Sequence, residues 1–154
     1  MSMDSWLHFL HVIAAMVWVG GGTVLSLIAL RIRSSSDQRA MSDFARTLPY
    51  VGLRLLMPAV ITVLITGVWM VLADSEFKFS QFWVLAGLGL FGVAFLLGAV
   101  YMSRVGMQLD RAARHDSGAA TNLPHLLDRW LVGYAGVLAI LLAAVWDMVF
   151  KPGL

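Results

Sequence analysis

Two histidines and an aspartate are the side chains of this sequence best suited to chemistry. His8 and His11 lie three residues apart in an apolar stretch near the start, and Asp147 lies in another near the end. On a helix that spacing separates the imidazoles by about one turn and points them to neighbouring faces. His11, Trp18 and Leu25 recur every seven residues, flanked by Ala15 and Gly22, which reads as a seam facing other helices with small residues for close packing. Counted back along a helix, Asp147 shares a face with Ala143, Ile140, Gly136 and Gly133. A small-residue face packs on protein rather than on lipid, so Asp147 is expected to point inward at the depth of His8 and His11. A His–Asp contact there, with the carboxylate orienting an imidazole, is the leading expected interaction. The plainer alternative gives the histidines to headgroups or a carbonyl, and makes Asp147 a cap on the bundle.

Other polar and soft residues complete the inventory. Arg54, Pro58, Thr62, Thr66 and Trp69 fall along one helical stretch. Pro58 leaves a carbonyl unbonded near Arg54, a threonine can satisfy freed backbone groups, and Arg54 can snorkel to headgroups. The nine methionines include soft copper ligands in principle, with Met3, Met70 and Met148 the nearest to the histidines and Asp147; most read as apolar filler. Gly20, Gly21 and Gly22 are no phosphate loop, because no strand precedes them. There is no cysteine, so thiolate metal sites, disulfides and cysteine nucleophiles are excluded. No Ser–His–Asp arrangement of a hydrolase is suggested by the spacing, and no chain of ionisable residues crosses the apolar stretches as an ion path would need.

These side chains must be positioned by membrane helices. Of the 154 residues, 60% are hydrophobic and 13% charged, against roughly 25% charged in soluble domains. Four apolar runs, at about 5–30, 50–73, 82–102 and 130–150, approach the roughly 20 residues of a spanning helix. No alternating pattern suggests a β-barrel, so helices must satisfy the backbone in lipid. The fold expected is all-α, an integral membrane four-helix bundle forming one domain over 1–154. The start has neither the basic region nor the cleavage site of a signal peptide, so the first run is expected to stay as an anchor. The short connection between the second and third runs makes those helices expected neighbours.

Charge gives the expected orientation. Arg31, Arg33, Arg39, Arg46 and Arg54 flank one connection and Arg104, Arg111, Arg114 and Arg129 the other, nine of the 11 basic residues. The positive-inside rule puts loops 31–49 and 104–129 in the cytoplasm and both termini outside. Both loops read as solvated connectors. Trp6, Trp69, Trp83 and Trp146 then fall near the outer interface and Trp130 near the inner one. Scattered in loops, the arginines form no continuous basic face, so nucleic acid is no partner. Expected partners are the lipid bilayer, a second copy packed through small-residue faces, or a membrane redox partner.

The stretch LHFLHVIAAMVWVGGGTVLSLIALR resembles the first helix of CopD/HemJ-like membrane proteins: a histidine, a tryptophan seven residues on, glycines just after, and a closing basic residue. Here these are His11, Trp18, Gly20, Gly21 and Arg31. RLLMPAVITVLITGVW is similar to their second helix through Arg54, Pro58, Gly67 and Trp69, and the ending MVFKP resembles a bacterial branch of unknown function related to the CopD domain. The resemblance implies a multi-pass protein of the bacterial inner membrane and two chemistries. One is haem b bound through the first-helix histidine, as in the HemJ oxidases, with a redox or haem-handling role; His11 would be the axial ligand, Trp18 a neighbour, and Met70 or Met148 a second ligand. His8 and His11, on one helix, cannot hold opposite faces of one porphyrin. Arg31, a turn-count of roughly 30 Å below His11, is too far to meet its propionates. The other is copper handling, with His8, His11, Asp147 and Met3 as ligands. A non-catalytic accessory or scaffold subunit needs only the packing faces. The sequence departs from the HemJ pattern at one position: where those proteins carry a lysine four residues after a third-helix tryptophan, Gly87 follows Trp83.

Overall fold

In the computed structural model, residues 3–73, 81–114 and 122–152 are described, and they are helical almost throughout. Helix α1 spans Met3–Ser35. Helix α2 (Gln38–Val51) runs through a π-helical turn (Gly52–Leu56) into α3 (Met57–Ala73). Helix α4 (Phe82–Leu96) runs through a second π turn (Leu97–Met102) into α5 (Ser103–Arg114), and α6 spans Leu123–Phe150. Four continuous helical rods result, each long and apolar enough to cross a membrane.

The rods exceed the expected spans at one end. The second has 36 residues and the third 33, about 50 Å at 1.5 Å per residue, against a hydrocarbon core of about 30 Å. Most of the stretches read as connectors, 31–49 and 104–129, are therefore helix. Their charges conceal an apolar stripe. Met41, Phe44, Ala45 and Leu48 of α2, and Val105, Leu109 and Ala113 of α5, are buried at helical spacing. They close on each other and on Leu123, Leu126, Leu127 and Trp130 of α6. The arginine-rich end is a packed cap built beyond the apolar spans. Trp130 is buried within it and is no interfacial anchor.

Polar contacts hold this cap in register. Asp37 accepts from the backbone N–H of Arg39 (2.9 Å) and Ala40 (3.1 Å), starting α2. Ser36 takes a left-handed conformation (φ 55°), which turns the chain between α1 and α2. Arg33 donates two bonds to Asp128, at 2.8 and 3.1 Å, tying α1 to α6. Arg46 donates to the Ala113 carbonyl at the end of α5 (2.6 Å). Asp37→Ala is expected to lower stability by about 1 kcal/mol, the usual worth of an N-cap, measurable as a small drop in the thermal midpoint in detergent; no change would mean that water satisfies those amides equally well.

Within the apolar region α1 packs on α3 and on α6, and α6 packs on α4. The expected pairing of the second and third spans fails there: among the described residues α3 and α4 form no substantial packing pair, and their rods pack chiefly through α2 and α5 at the arginine-rich end. Residues 74–80, the connection on which that expectation rested, lie outside the described residues. The physical reason is the seam at the centre. Helix α6 turns Trp130, Tyr134, Val137, Leu141 and Ala144 inward, a 3.5-residue repeat, and α1 meets it with Trp18 and Gly22, both buried. This contact takes the middle of the bundle and leaves α3 and α4 on its two flanks.

Candidate functional site

His11 is half-buried and faces α3, where its Nδ1 lies 2.9 Å from Thr66 Oγ1. The single Thr66 hydroxyl proton is already given to the Thr62 carbonyl (2.6 Å). The His11–Thr66 bond then needs its proton from the ring, so Nδ1 carries the hydrogen and Nε2 the lone pair. The Val63 backbone on α3 is a further hydrogen-bond partner of the His11 ring. Gly67 makes room: a Cβ there would come within 3.2 Å of His11 Cε1. Thr66 is the partner that the sequence reading missed. Its spacing of four from Thr62, itself bonded to the Pro58 carbonyl (2.8 Å), was read only as backbone repair.

Asp147 is 3% exposed and lies inside the bundle, yet on a different face from the one expected. Ala143 and Gly136 are exposed, and the inward stripe is that of Tyr134, Val137, Leu141 and Ala144. The carboxylate turns toward α4, where a Cβ on Gly87 would sit 3.2 Å from Oδ2, and that oxygen has no hydrogen-bond partner among the described residues. The His–Asp contact is thus not formed: His11 bonds Thr66 on the α3 side, and Asp147 faces Gly87 on the α4 side. The depths do agree, since His11 stands eleven residues above Gly22 and Asp147 thirteen above Tyr134, its packing partner. His8 is exposed on α1. Met70 is half-buried on α3, whereas Met148 is 38% exposed and lies near Gly87, so the two flank different helices. The side chain of Met3 lies outside the described residues. No cluster of three metal-binding side chains of the His, Cys, Asp and Glu types occurs among the described residues.

A second locus was not foreseen. Trp18 and Tyr134 line a cavity of about 290 Å3 with Leu56, Val60, Ala99 and Met102. The Tyr134 hydroxyl donates to the Trp18 carbonyl (3.2 Å), and the Trp18 ring meets Phe91 edge-on at 5.8 Å. Both π turns contribute walls, Gly52, Leu53 and Leu56 from one and Gly98, Ala99 and Met102 from the other. Such turns concentrate at functional sites and helix bends. The first lies between Pro49 and Pro58, neither of which can donate an amide; the Met57 amide reaches back to the Gly52 carbonyl instead. In the second, the Ser103 amide reaches the Gly98 carbonyl. Arg54, on the first π turn, is exposed and lies over the Tyr50 ring at 5.7 Å, with no carboxylate partner among the described residues.

A family model described as predicted integral membrane protein (DUF2269) matches residues 5–152 of the chain. No curated protein and no solved structure matches it.

Proposed function

The chain belongs to the DUF2269 family of predicted integral membrane proteins, and we propose that it is a haem-linked member of the bacterial inner membrane, with both termini outward and His11 as an axial ligand. One observation carries the reading: Thr66 holds the His11 ring through Nδ1, which would leave Nε2 to bind the iron. A ligating histidine is oriented in this way, its second nitrogen bonded to a fixed acceptor.

His11 would supply one axial ligand of a porphyrin. The 290 Å3 cavity is not lined by His11; it begins at Trp18, about 10 Å further along α1 by helical rise. A haem held by His11 would need a second copy or a membrane redox partner to cover it. If bound, haem would supply one-electron chemistry, and His11 is the residue that would hold the iron. Met70 stands one turn beyond Thr66 on α3, the helix that His11 faces. Copper handling is less well supported, because His8, His11 and Asp147 face three different directions. An accessory subunit remains the reading if no cofactor binds.

Protein expressed with ample haem is expected to show a Soret band that His11→Ala abolishes and His8→Ala leaves in place. Thr66→Val should weaken haem retention by roughly tenfold, as loss of a partner that orients a ligand does. A colourless wild type, or a band indifferent to His11, ends the haem reading; copper bound equally with and without the histidines ends the copper one.

A further inference from the structure

We draw no further inference here: the strongest candidate, the apolar cavity walled by the two π turns, with Trp18 and Tyr134 in its lining, carries nothing because nothing in the structure shows what covers or fills it.

Discussion

Gly22→Ala is expected to destabilise the protein by about 2–4 kcal/mol, far beyond the ordinary difference of up to 1 kcal/mol in favour of alanine within a helix. The sign reverses because of what lies opposite. The space that a Cβ would enter at Gly22 is filled by the ring and hydroxyl of Tyr134, which is a backbone-to-ring contact at the centre of the α1–α6 seam. Alanine forces Tyr134 out, which breaks its bond to the Trp18 carbonyl and moves the floor of the cavity. Overpacking alone accounts for about 1–3 kcal/mol, and the stranded hydroxyl adds about 1 kcal/mol more. The control is the double variant. With Tyr134→Ala in place the slot is empty, so Gly22→Ala should be neutral or stabilising, and the two changes should be strongly non-additive. Thermal unfolding of all four proteins in the same detergent decides it. An equal penalty in both backgrounds would show that the close approach does not govern the seam.

The seam also shows what could be read from the sequence. Four spans were legible because lipid imposes a length and a hydropathy that few soluble segments meet. Gly22 was legible as a close-packing residue for the same kind of reason. The rest was hidden by the solvent itself. In water an apolar stripe marks the buried face, but in a bilayer Leu142 facing lipid and Leu141 facing protein look alike. Hence Asp147 could be taken as inward while its face was drawn through Gly136 and Ala143, which are exposed. Hence also the splayed α3 and α4 gave no signal. Beyond the lipid the usual rules return, and there the pattern was present. Met41, Phe44, Ala45 and Leu48 follow the spacing of an amphipathic helix, and Asp37 precedes them as a cap. Their dense charge led instead to a reading as connectors. At the candidate site, the choice of His11 rested on residue type and resemblance. Its acceptor, Thr66, lies 55 residues away in sequence, and no local spacing could reveal it.

Trp130→Ala is expected to have the largest effect of any truncation, about 3–5 kcal/mol. This follows from the cap being a true core. Trp130 is 5% exposed, stacks on Tyr134 at 5.7 Å and 11°, and meets Phe44 edge-on at 5.8 Å and 83°. It therefore connects α2 to α6 and passes that contact on to the residue that fills the slot at Gly22. Aromatic pairs add about 0.5–1.5 kcal/mol each beyond the burial of area, and two such pairs end here. An interfacial tryptophan, the role expected for this residue from its position, would behave otherwise. Trp69 and Trp146 are 53% and 56% exposed, so their alanine variants should change stability by no more than about 0.5 kcal/mol. Phe44→Ala provides the coupling test: once Trp130 is gone, its own penalty should shrink by about the energy of one aromatic pair. Should Trp130→Ala cost no more than Trp69→Ala, the packed cap would be wrong. The arginine-rich end would then be the solvated pair of connectors that its charge alone suggests, and α2 and α5 would have no core to hold the cavity walls at their spacing.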